Sequence, residues 1–231
     1  MTGMWRRQHQ WGVRAVASSR SLVTGLLLLC AALPAPAATL LVLGDSLSAA
    51  YGILVEQGWV TLLQQRLQAT DSGWQVINAS ISGETSAGGL ARLPGLLRRQ
   101  QPQALILALG ANDGLRGLPP DQLASNLQSM VAAAQDSGAK VLLVGIRLPP
   151  NYGQAYADAI AQTYQALAEQ ASVPLVSSLL APVEDDRSQF QADQLHPIAQ
   201  AQPLLLDSMW PQIEALLQAT MAESAAPMGS E

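Results

Sequence analysis

The chain has 231 residues, 49% of them hydrophobic, with 12 basic against 17 acidic side chains, one cysteine and two histidines. That length suits one well-packed domain and is short for two. Residues 1–38 differ in kind from the rest. Arg6, Arg7, Arg14 and Arg20 carry all the charge there, Leu22–Leu33 is an apolar run, and Pro34–Ala38 is a small-residue stretch. A basic start, a short apolar stretch and an A-x-A-like site predict a signal peptide over residues 1–38, cleaved after Ala37 or Ala38. The apolar run falls short of the roughly 20 residues of a membrane span. No stable span is therefore expected after cleavage, and the expected location is periplasmic or secreted. Cleavage leaves 8 basic against 17 acidic residues, a net charge of −9, with His196 as the only histidine and no cysteine. Disulfides, thiolate catalysis and cysteine metal sites are thereby excluded, and there is no basic footprint for nucleic acid.

Leu40–Leu43 reads as a buried strand that stops at Gly44 and runs into Asp45 and Ser46. Gly58–Thr70 has apolar residues at Trp59, Leu62, Leu63 and Leu67, the spacing of an amphipathic helix. Trp74–Asn78 is a second strand, followed by a small-residue loop over Ala79–Gly89. Helical spacing resumes over Leu90–Arg99, where Pro94 and Gly95 predict a kink or a late start. Ala104–Leu109 is a third strand, halting at Gly110-Ala111-Asn112-Asp113-Gly114. Pro119–Gln135 is helical, Val141–Ile146 a fourth strand, Ala155–Ala171 helical and Pro174–Val176 a short fifth strand. The polar loop Glu184–Gln194 leads to His196, and a last helix over about Gln202–Ala219 is interrupted or capped near Pro203 and Pro211. The tail 221–231 is expected to be disordered.

Apolar strands alternating with helices predict an α/β fold: one three-layer domain over 39–220 with a five-stranded parallel sheet, flavodoxin-like in type. Right-handed crossovers put the loops carrying Ser46, Gly83, Asn112 and Asp193–His196 on one edge of that sheet.

Acyl hydrolysis by a serine needs a base in reach of the hydroxyl, a partner that orients the base, and donors aimed at the developing oxyanion. His196 is the only candidate base. Asp193, three residues before it, can lie on the same side of a turn and hold the imidazole in one tautomer. Asp45 and Asp113 are read as turn braces, and Tyr51 and Trp59 as packing residues. No metal-ligand cluster and no cofactor are expected.

Four blocks occur in order: Gly44-Asp45-Ser46-Leu47-Ser48, Ser80–Ser86, Gly110–Gly117 and Asp193-x-x-His196-Pro197. Together they resemble the SGNH, or GDSL, hydrolases, and Leu90–Pro94 and Ile146–Gly153 are similar to its branch of periplasmic thioesterase/lysophospholipases and arylesterases. The resemblance covers nearly all of the chain between leader and tail. It implies Ser46 as nucleophile, His196 as general base and then acid, and Asp193 as the orienting carboxylate. It also implies an oxyanion hole of the Ser46 and Gly83 backbone N–H groups and the Asn112 side-chain amide. Ala50 and Ala111 stand where this branch often has glycine. The function so implied is an exported serine esterase or thioesterase acting through an acyl-enzyme on lysophospholipids, acyl thioesters or aryl esters; separately, a monomer is expected. A carbohydrate O-acetylesterase is the enzyme alternative, and a non-catalytic acyl-binding module the other. The acyl groove is expected from the loops at Ile81–Leu90, Leu115–Pro120 and Ile146–Gly153.

Overall fold

The computed structural model describes residues 1–2 and 37–225, so the expected signal peptide lies almost wholly outside the described residues. Five strands, β1 (Ala38–Gly44), β2 (Trp74–Asn78), β3 (Ala104–Ala108), β4 (Lys140–Val144) and β5 (Leu175–Val176), form one sheet. All neighbours are parallel and the order is β2-β1-β3-β4-β5, as in flavodoxin-like sheets. Six helices complete the domain: α1 (Trp59–Ala69), α2 (Ser86–Gln100), α3 (Ala111–Leu115), α4 (Pro120–Asp136), α5 (Gln154–Ala171) and α6 (Gln202–Ala225).

Side chains alternate across a strand, and both faces of this sheet are covered, so the central strands are apolar at nearly every position. Leu41, Leu43, Leu105, Leu107 and Leu143 pack against Leu93 of α2, Leu127 and Met130 of α4, and Ile160 and Tyr164 of α5. Leu40, Val42, Ile106, Leu142 and Val144 face Trp59 and Leu63 of α1, and Leu205, Met209 and Ile213 of α6. Crossovers from β1 and from β3 lead to opposite sides of the sheet. The crevice that opens between their carboxyl ends is where such sheets bind ligands.

Three helices depart from expectation: α3 forms where the sequence predicts only a halt after the third strand, and α2 and α6 differ in their bounds. α2 begins at Ser86, four residues before the apolar spacing resumes, because its N-terminus is satisfied from outside. Thr85 Oγ1 accepts the Gly88 N–H, and the Asp113 carboxylate accepts both the N–H and the hydroxyl of Ser86. Pro94 lies inside that helix without ending it. α6 runs to Ala225 as one helix, past the expected end and into the stretch expected to be a disordered tail. Pro203 falls in its first turn, where no N–H is needed. Pro211 is tolerated in the interior of α6, on a helix held down by Leu205, Met209 and Ile213.

Candidate active site

The chain turns sharply after β1. Asp45 accepts the Leu47 N–H through Oδ1 at 3.0 Å, and its carbonyl accepts the N–H groups of Ser48 and Ala49. The turn presents Ser46 at the carboxyl edge, with its Oγ 2.9 Å from His196 Nε2. His196 Nδ1 lies 2.7 Å from Asp193 Oδ2, while Asp193 Oδ1 accepts the backbone N–H groups of Leu195 and His196, each at 3.0 Å. The Asp-x-x-His spacing is thus one closed turn. Desolvation raises the Asp193 pKa, but the two backbone donors and the imidazole outweigh it and hold the carboxyl at about 2. An ionised Asp193 at Nδ1 places the imidazole proton there and leaves the Nε2 lone pair facing the Ser46 hydroxyl. Ser46, His196 and Asp193 are therefore brought together as one hydrogen-bonded chain.

Asn112 lies in the first turn of α3, directly after β3. Gly110 makes that junction possible: its φ is +122°, and a Cβ there would lie 2.0 Å from the Tyr164 hydroxyl. The Asn112 amide donates to the Glu84 carbonyl at 3.0 Å and to Asp45 Oδ2 at 3.4 Å. The second contact is long, so that hydrogen is readily redirected to a bound oxygen. The Gly83 carbonyl accepts from Arg116 at 2.9 Å, which fixes the backbone of its loop. Among the described residues, neither the Ser46 N–H nor the Gly83 N–H donates to another backbone group.

Two residues, Tyr51 and Asp45, differ from their sequence readings, and Trp59 does not. Tyr51 is half exposed and lays its ring against His196, with centroids 4.4 Å apart, so it is part of the site and not packing alone. Asp45 does brace its turn, but it also titrates: burial, offset in part by the Leu47 N–H, the His196 charge and Asn112, pushes its pKa up to about 6. Trp59 is a packing residue as expected, buried and donating its indole N–H to the Leu47 carbonyl at 3.1 Å.

A cavity of about 590 Å³ opens beside Ser46, Asn112 and His196. Leu115 and the Ile146–Pro149 turn line it, as the sequence suggests. The Ile81–Leu90 loop does not, because its second half is the start of α2 and Glu84 is tied to Arg92 at 2.6 Å. Its place is taken by Ala157 and Ala161 of α5 and by Leu180 and Phe190, with charged groups at Asp158, Asp185 and Arg187. The i, i+4 spacing of the two alanines was the available signal for α5; nothing in the sequence marks Leu180 or Phe190. Among the described residues, no three His, Cys, Asp or Glu side chains group as metal ligands, and no helix is long and apolar enough to cross a membrane.

The chain is 52% identical over 183 residues to Esterase TesA of Pseudomonas aeruginosa, covering 79% of this chain and 91% of that protein. It is 43% identical over 183 residues to Thioesterase 1/protease 1/lysophospholipase L1 of Escherichia coli K12, covering 79% of this chain and 86% of that protein. A crystal structure of TesA superposes with a TM-score of 0.75 at 52% identity, covering 77% of this chain and 99% of that one. Residues 42–202 match the GDSL-like lipase/acylhydrolase family, from the Ser46 turn through the Asp193–His196 turn, and the chain belongs to it.

Proposed function

We propose that the protein is an exported serine esterase and thioesterase that cleaves acyl esters, with lysophospholipids, acyl thioesters and aryl esters as its substrate class. The observation that carries this reading is the Ser46–His196–Asp193 chain, with contacts of 2.9 and 2.7 Å, opening into a largely apolar cavity. Ser46 Oγ attacks the acyl carbonyl carbon as His196 Nε2 takes the hydroxyl proton, and Asp193 stabilises the imidazolium without accepting that proton. The carbonyl oxygen becomes an oxyanion received by the Ser46 and Gly83 N–H groups and the Asn112 amide. Collapse breaks the bond to the alcohol or thiol, which leaves with the proton from His196. Water then attacks the acyl-enzyme by the same steps, releasing the acid and restoring Ser46. All of these groups come from one chain, in keeping with a monomer. The leader of residues 1–38 supports export to the periplasm or medium.

A p-nitrophenyl ester series from acetate to palmitate tests the reading. Activity is expected to peak at intermediate chain length, and Ser46→Ala is expected to lower kcat roughly 10⁴-fold or more. An acetate-only profile would point to a sugar O-acetylesterase, and an active Ser46→Ala variant would remove the mechanism altogether.

A further inference from the structure

The turn that carries Asp193 and His196 fixes its own shape, because the carboxylate of Asp193 closes it through two backbone donors. Those bonds do not fix where the turn sits relative to Ser46, which belongs to a loop some 150 positions earlier. Gln191 makes that connection. Its Nε2 donates to the Tyr51 carbonyl on the serine loop at 2.8 Å and to the Pro197 carbonyl beside His196 at 3.1 Å. Both hydrogens of its amide are thereby used. Its backbone N–H donates to the His196 carbonyl at 2.8 Å, so the residue is anchored on the histidine side as well. The serine loop is shaped to receive it: Gly52 has a φ of +73°, and a Cβ there would lie 2.1 Å from Gln191 Oε1. The other direct polar and ring contacts of His196 with that loop are the bond to Ser46 and the Tyr51 ring itself.

We propose that Gln191 is a positioning residue that sets His196 within hydrogen-bond reach of Ser46 by bridging the Tyr51 and Pro197 carbonyls. The proposal rests on the reading of Ser46 and His196 as nucleophile and base. Gln191 touches neither the acyl group nor a reacting atom; it acts through the register of two loops. A displacement of about 1 Å between reacting groups lowers a rate by up to about 100-fold.

Gln191→Met keeps the length of the side chain and removes both donors. Its kcat is expected to fall at least about tenfold, with KM within about twofold of wild type. The Asp193–His196 pair closes within its own turn, so the downfield proton NMR signal of its Nδ1–H is expected to persist. A smaller loss of kcat, a change confined to KM, or disappearance of that signal would each overturn the positioning role, the last because the whole turn has then unravelled. Gln191→Glu, also without donors to the two carbonyls at neutral pH, carries the same expectations should the methionine variant fail to fold. Ser46→Ala measured alongside separates the two claims. If it is inert while Gln191→Met is fully active, only the clamp falls; if it is active, the underlying reading falls.

Discussion

Asp45 is the residue whose chemistry the sequence conceals. Gly-Asp-Ser reads as an ordinary turn, and the aspartate does accept the Leu47 N–H, yet it is 1% exposed and its pKa is pushed to about 6. A folded-state pKa raised above the ordinary value of 3.8 means that the native state holds the proton more tightly than the unfolded chain. Stability contributed by the neutral form is present at low pH and is lost as pH rises from about 4 through 6, by on the order of 3 kcal/mol. Asp45→Asn removes the buried charge but offers one acceptor atom to two donors, so its gain at pH 7.5 is smaller, about 1–2 kcal/mol. Denaturant unfolding should show the variant more stable at pH 7.5 and less stable by about 1 kcal/mol near pH 4, the two curves crossing in between; a variant less stable at both pH values would contradict the account. Its activity is expected to fall, since Asn112 loses the carboxylate that accepts one of its hydrogens. Asp193 behaves oppositely, staying ionised above about pH 2, so loss of activity on mild acidification belongs to another group. The Asp193–His196 pairing was legible because both members fall within one turn. Tyr51 was not, because its contact with His196 spans 145 positions and carries no periodic signal.

At the scale of elements, what the sequence hides is support from elsewhere in the chain. The apolar spacing of α2 begins at Leu90, but Asp113, arriving from α3, accepts the Ser86 N–H and draws the helix start forward. Asn126 of α4 donates to the Ser86 hydroxyl at 2.9 Å and completes the junction. The turn between Ser46 and α1 shows the same dependence. Ala50 holds a φ of +56°, a conformation its methyl group disfavours. The left-handed conformation costs an L-residue about 1–2 kcal/mol. Glycine recovers part of this, offset by its larger freedom in the unfolded chain. Ala50→Gly is therefore expected to be stabilising by about 0.5–1 kcal/mol, seen as a Tm higher by about 1–4 °C. A Cβ built on Gly58 would lie 2.8 Å from the Ala50 methyl, so the two positions are neighbours; a lower Tm would mean that the packing of that methyl outweighs the strain.

For the whole molecule, the three-layer architecture was legible because strands covered on both faces leave a continuous apolar signature. The walls of the cavity were only half legible. Which loops meet over Ser46 depends on the sheet order and on the path of residues 180–190, neither of which has a local pattern. The structure makes α5 one wall, with Ala157 and Ala161 facing the cavity one turn apart. Small side chains at those positions leave room that an acyl chain can occupy, so chain-length preference is expected to be set there, away from the Ser46–His196–Asp193 chain. Ala157→Phe fills that room. Each methylene shut out of the cavity forfeits about 0.8 kcal/mol of burial, and excluding three or four corresponds to a roughly 100-fold loss on long esters. Acetate reaches only the mouth beside Ser46 and is expected to be hydrolysed at close to the wild-type rate. The ratio of decanoate to acetate kcat/KM measures the effect. If that ratio were unchanged in a well-folded variant, the acyl chain would have to run elsewhere, along the exposed side of Tyr51 and Ile81.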